Sequence, residues 1–159
     1  MNKINIVTSY VNPDTDGVAC SIAMAKLLSV GGKQWFPVLF GSMGSETGFV
    51  LQRLEISAPK TLSSFTDVDQ IALVDTHHTS QLPQGFPFEK VVTIIDHHPN
   101  GDDVLFPSAA ITNEKVGGAA SIVTKLLFER QLIDTVILRL LGLAILSNGA
   151  VHIRGNMIK

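Results

Sequence analysis

Residues 4–17, INIVTSYVNPDTDG, set a β-branched apolar run against a cluster of turn and cap residues. Ile4 to Thr8 reads as a buried strand, and Asn12-Pro13-Asp14-Thr15-Asp16-Gly17 ends it and opens a helix. The same succession recurs outward from there. Val18 to Leu28 carries a helical apolar face of Ile22, Ala23, Ala25, the stem of Lys26 and Leu27, stopped by Gly31-Gly32. Trp35 to Phe40 reads as a strand, and Glu46 to Leu54 as a short helix with Phe49, Val50 and Leu54 on one face. Ile71 to Val74 is a strand ending at Asp75, and Val91 to Ile95 another ending at Asp96. Gly117-Gly118 opens a helix to about Arg130, and a last helix from Thr135 to Leu146 is expected to stop at Ser147-Asn148-Gly149. Ala58 to Thr66 and Gln81 to Phe88 read as plain connections. Continuously apolar strands alternating with helices predict an α/β fold of three layers, a mostly parallel sheet with helices on both faces.

The chain has 159 residues, a length that predicts one domain or one lobe of a larger protein. Apolar residues make up 45%, enough for a core, which excludes a disordered chain. Charged residues are only 16%, so some apolar surface is expected to meet a partner. A formal charge of −2 argues against holding nucleic acid by bulk charge. Cys20 is alone, so neither an internal disulfide nor a cysteine zinc site can form. The longest apolar run, Val136 to Leu146, is interrupted by Arg139 and is shorter than the roughly 20 residues that span a bilayer. With Met1 running straight into a strand, a soluble cytoplasmic protein is expected.

The residues capable of chemistry stand at strand ends. Asp14 and Asp16 follow the first strand, Asp75 with His77-His78 the third, and Asp96-His97-His98 the fourth. In open parallel sheets ligands bind beyond the carboxyl ends of the strands, so these clusters are expected to converge. Crowded aspartates repel one another unless cations lie between them. Imidazole with carboxylate suits Mn²⁺, Fe²⁺, Co²⁺ or Zn²⁺, and carboxylate alone suits Mg²⁺. Two such ions about 3.5–4 Å apart polarise a phosphoryl group and activate water. Plainer roles compete at each position: Asp14 and Asp16 fit helix caps, Asp75 a polar strand end, and His77-His78 a solvated loop. His152 is isolated and is not expected to be a ligand.

Asn12-Pro13-Asp14-Thr15-Asp16, Leu73-Val74-Asp75 and Ile95-Asp96-His97-His98 resemble the DHH phosphoesterase superfamily, and within it the N-terminal domain of the manganese-dependent (family II) inorganic pyrophosphatases. Residues 45–51, 116–123 and 143–147 resemble further stretches of that narrower group. The resemblance implies hydrolysis of a small phosphate substrate, pyrophosphate, by a dinuclear Mn²⁺ site, with Mg²⁺ or Co²⁺ as alternatives. It implies that Asp75 bridges the ions, Asp14 binds the first, and Asp16 and His97 bind the second. It places His98 at the phosphate and Asp96 behind the ligands, fixing a histidine tautomer. The glycine-led helix start at Gly117-Gly118 can offer N–H groups to phosphate, or simply allow close packing.

Three departures accompany the resemblance. Tyr10 stands where the family has a metal-binding histidine, and a phenol with a pKa near 10 is a poor ligand at neutral pH. Asn148 stands where the family has an aspartate, leaving Asp14, Asp16 and Asp75 as the carboxylates; His77 or His78 offers a stand-in donor. The family's C-terminal domain, whose Lys and Arg clamp the substrate, has no counterpart here; only Arg154 and Lys159 follow as cations. A homodimer through the sheet edge is implied by resemblance alone. Two other functions fit the same residues: cleavage of phosphodiesters in short oligonucleotides or cyclic dinucleotides, and a degenerate module that binds metal or a partner without catalysis. A low aromatic content of 6% disfavours a stacking platform for bases, so nucleic acid is not expected as a partner.

Overall fold

The computed structural model describes residues 3–132 and 134–156, with side chains as far as Asn148. Thus the side chains of His152 and Arg154, and Lys159 altogether, lie outside the described residues. The chain forms β1 (Ile4–Thr8), α1 (Thr15–Ser29), β2 (Trp35–Leu39), α2 (Ser45–Arg53), β3 (Lys60–Thr61), β4 (Val68–Val74), β5 (Val91–Asp96), β6 (Ala110–Asn113), α3 (Ala119–Glu129) and α4 (Thr135–Asn156). The six strands make one parallel sheet in the order β3-β2-β1-β4-β5-β6.

Period-two alternation divides the core between the two faces of the sheet. Val7, Leu39, Ala72, Val74 and Ile95 turn towards the helices, where Val18, Ala19, Ala23, Ile122, Leu140, Leu141 and Ala144 meet them. Ile6, Val38, Ile71, Leu73 and Ile94 turn to the opposite face. All four α-helices contribute to the first face. The helical cover of the second face is reduced to single 3₁₀ turns at Thr79–Gln81, Phe88–Lys90 and Asp103–Leu105 and their flanks. Those β4–β5 and β5–β6 connections carry Pro83, Gly85, Pro87, Pro99, Gly101 and Pro107, which break longer helices. Aromatic rings fill the space instead: Phe86 lies edge-on to Phe40 and Phe65, and Phe88 edge-on to Phe106.

The chain winds outward from β1 to β3, then returns to β4 and winds outward in the other direction. The switch point therefore lies between the carboxyl ends of β1 and β4, the place where open α/β sheets bind ligands. Two strands were not anticipated. β3, two residues long, lies inside the expected connection 58–66, and β6 is a short edge strand with half-buried side chains. The last helix corrects the expected stop at 147–149: α4 continues to Asn156. Without a proline, one glycine costs a helix only about 1 kcal/mol, which packing against α1 and α3 outweighs. No helix among the described residues is long and apolar enough to cross a membrane.

Candidate metal centre

Asp14 caps α1, its Oδ1 accepting the amides of Asp16 at 2.8 Å and Gly17 at 3.2 Å. The cap role read from the sequence is therefore real, and it leaves the second carboxylate oxygen without a hydrogen bond among the described residues. Asp75 follows β4 with φ of 61°, a left-handed backbone that is uncommon outside glycine. Its amide donates to the Ile95 carbonyl, fixing this turn against β5. Backbone strain of this kind gathers where a side chain must be aimed.

His97 and His98 follow β5. His97 Nε2 lies 3.3 Å from Asp75 Oδ1, while Nδ1 lies 3.1 Å from the Val116 carbonyl. The carbonyl accepts only from N–H, so Nδ1 carries the proton and the Nε2 lone pair faces the Asp75 carboxylate in the neutral ring. Two acceptors so placed require a proton between them, on His97 Nε2 or on the Asp75 carboxyl, or a cation. Asp75 is 2% exposed, and its Oδ1 has no well-directed hydrogen bond. Burial pushes Asp75 up to about pKa 8; His97 opposes the shift, and the Asp16 and Asp14 carboxylates add to it. The Asp75 carboxylate beside it, against the opposing effect of burial, raises the pKa of His97.

Behind this pair, Asp96 is fully buried. Its carboxylate accepts from the amides of His97 (2.7 Å) and His98 (3.2 Å), from His98 Nδ1 (2.8 Å) and from His77 Nδ1. Burial would raise its pKa, but these bonds from His77, His98 and the two amides outweigh it and hold the group below the ordinary range. The bond from Nδ1 leaves His98 with Nε2 as its free ring nitrogen. One potential ligand atom each from Asp75, Asp96, His97 and His98 lie within 4.8 Å of one another. Asp96 is already committed to four donors, so Asp75, His97 and His98 are the open members of that group.

A cavity of about 330 Å³ is lined by Tyr10, Asp14, Asp75, Gln81, His97, His98, Gly117 and Asn148. Asp16 lies behind it, 1% exposed. Its oxygens accept from the amides of Ala119 and Ala120 at 2.8 Å, from Asn148 Nδ2 at 2.7 Å and from the Cys20 thiol at 3.4 Å. The first free amides of α3 thus face Asp16. Burial raises the pKa of Asp16, countered by the Ala120 amide, the Cys20 thiol and the Ala119 amide, with Asp14 adding to the rise. Gly118 is required by close approach, because a Cβ there would stand 2.6 Å from both Asp16 Oδ2 and Asn148 Nδ2. Gly117 meets no such obstacle and borders the cavity.

His77 and His78 are not brought to the cavity. His77 is buried between Asp96 and, at 3.4 Å through Nε2, Asp103. Gly101 packs against its ring so closely that a Cβ would overlap it. The His78 ring stands beside His98, centroids 6.5 Å apart. Tyr10 Oη accepts the Asp14 amide at 3.1 Å; burial, with Asp14 and Asp75 nearby, pushes its pKa up and keeps it a neutral phenol. Gln81 and the Val116 carbonyl were not anticipated as parts of the site. Gln81 ends a single 3₁₀ turn, too short for a periodic pattern, and a backbone carbonyl leaves no mark in sequence.

A six-stranded parallel sheet with acid- and imidazole-bearing strand ends meeting at its switch point describes an α/β domain with a candidate metal site, and residues 3–145 match the DHH family, N-terminal domain. The chain belongs to that family. It is 31% identical over 121 residues to the manganese-dependent inorganic pyrophosphatase of Methanothrix thermoacetophila, covering 76% of this chain and 39% of that one. It is 30% identical over 144 residues to the probable manganese-dependent inorganic pyrophosphatase of Oceanobacillus iheyensis, covering 90% of this chain and 47% of that one. Among solved structures, a Methanococcus jannaschii protein provisionally assigned as a family II inorganic pyrophosphatase superposes with a TM-score of 0.70 at 29% identity, over 87% of this chain and 41% of that one. The chain thus spans less than half the length of these relatives.

Proposed function

We propose that this chain is the metal-binding domain of a manganese-dependent phosphohydrolase acting on inorganic pyrophosphate. The observation that carries the reading is Asp75 Oδ1: a buried carboxylate oxygen lacking a proper hydrogen bond, faced by an imidazole lone pair. The donor set fits the metal, since mixed carboxylate and imidazole ligands suit Mn²⁺. Asp14, Asp75, His97 and His98 would hold it, with Asp75 and Asp14 supplying the charge. A divalent cation there supplies Lewis acidity toward a phosphoryl oxygen and lowers the pKa of water.

The chain's own residues supply orientation. The Val116 carbonyl fixes the His97 tautomer. Asp96, held in turn by His77, fixes the ring of the partly exposed His98 so that its Nε2 is the nitrogen left for the ion. Gly117 leaves room for an anion beside the ligands. Among the described residues no Lys or Arg borders the cavity. Phosphoryl transfer depends on charge stabilisation, so the cations that clamp the substrate would come from a second domain or from a second copy of the chain.

The test offers the purified chain pyrophosphate, a dinucleotide and a cyclic dinucleotide in Mn²⁺. Release of orthophosphate from pyrophosphate, abolished in Asp75→Asn, is expected. Cleavage of the nucleotides alone would replace the substrate, and no turnover with any of them, even on adding the remainder of a full-length relative, would refute the reading.

A further inference from the structure

We propose that this metal centre holds one divalent cation, because the side-chain amide of Asn148 occupies, beside Asp16, the place of a second. The proposal rests on the manganese reading above. Asp16 is the residue that a second ion would need, and its two oxygens are filled. Oδ2 accepts from the Ala119 amide and Asn148 Nδ2, and Oδ1 from the Ala120 amide and the Cys20 thiol. A carboxylate has about four lone-pair sites, so none is left for a metal. The amide orientation at Asn148 follows from its partner: facing a carboxylate oxygen at 2.7 Å, only the NH₂ group is acceptable.

Geometry separates the two acids in the same sense. Asp14, Asp75, His97, His98 and Asn148 border the cavity, and Asp16 does not. The open donors then comprise the carboxylates of Asp14 and Asp75 and the imidazoles of His97 and His98, and one divalent ion balances the charge of the two carboxylates. On the other flank Tyr10 directs a phenol oxygen at the Asp14 amide, a neutral group rather than a further anion or imidazole. The reach of Asn148 comes from α4. Ile137, Leu140, Leu141 and Ala144 form its buried stripe, and Asn148 is the next position on it. An aspartate at 148 would set a second carboxylate against that of Asp16, in place of a hydrogen-bond donor, and a cation between the two would relieve their repulsion.

The test is Mn²⁺ stoichiometry on the full chain, by metal analysis after dialysis and by electron paramagnetic resonance. The wild type is expected to retain one ion with the six-line signal of an isolated Mn²⁺. Asn148→Asp is expected to retain two, with the broadened signal of an exchange-coupled pair. Asn148→Ala frees a lone pair on Asp16 without adding charge, so it guards against loss of folding in the aspartate variant; a second, weaker ion is expected at higher Mn²⁺. Two ions per wild-type chain would overturn the proposal, as would one ion in both variants. No retained ion in the wild type would instead overturn the manganese reading itself.

Discussion

Asp75 joins three unusual conditions in one residue: a left-handed backbone, near-complete burial and an oxygen without a proper hydrogen bond. Each is unfavourable alone, and a cation opposite the oxygen relieves two of them. The pKa of about 8 gives the sign of the pH effect. A carboxyl whose folded pKa is raised contributes stability below its unfolded value near 4 and loses it as pH rises toward 8. Metal-free protein is therefore expected to lose stability over that interval through this group. Asp75→Asn should remove the loss and raise the melting temperature of the metal-free protein at pH 8, by an amount on the order of a few kcal/mol in stability. Thermal unfolding at pH 5 and pH 8 checks this; a lower melting temperature for the variant at pH 8 would contradict the account of Asp75. Asp16 shows the limit of reading acids by position. The sequence places it beside Asp14, but only the approach of α3 and α4 shows that its oxygens are filled.

The helices convert local sequence into site geometry. Asp134 caps α4, its Oδ1 accepting the amides of Val136 (2.9 Å) and Ile137 (3.0 Å), while Oδ2 pairs with Lys26 of α1. Asp134→Ala is expected to cost about 1 kcal/mol, the usual worth of such a cap, read as a lower denaturant midpoint. An unchanged midpoint would show that α4 is held by its apolar stripe alone. Most helices and the central strands were legible because apolar periodicity carries them. α1 starts at its Asp14 cap, and α2 and α3 lie within two residues of the expected bounds. What escaped lacked periodicity: β3 and β6 are short edge strands whose pairing is decided by neighbours. The continuation of α4 past Gly149 escaped because a stop signal was weighed above the stripe that runs from Ile137 to Asn148. The convergence of Asp14, Asp75, His97 and His98 was legible for a different reason, since strand-end residues of a parallel sheet share one edge.

At the scale of the whole molecule, strand order brings the carboxyl ends of β1 and β4 together, and β5 supplies the histidines one strand away. The helix-covered face makes the firm side of the core, while the other face is closed by proline- and glycine-bearing loops, one of which holds His77 and through it Asp96. The cavity joins segments far apart in sequence, so a cation bound there is expected to stabilise the fold as a whole, by about 2.7 kcal/mol when free Mn²⁺ is a hundredfold above its dissociation constant. The central claim is that Asp14, Asp75, His97 and His98 form one cation site. Calorimetric titration of Mn²⁺ into the wild-type chain and into Asp75→Asn tests it most directly. Saturable binding by the wild type, weakened at least about tenfold in the variant, is the predicted result; equal affinity in the two proteins would contradict it.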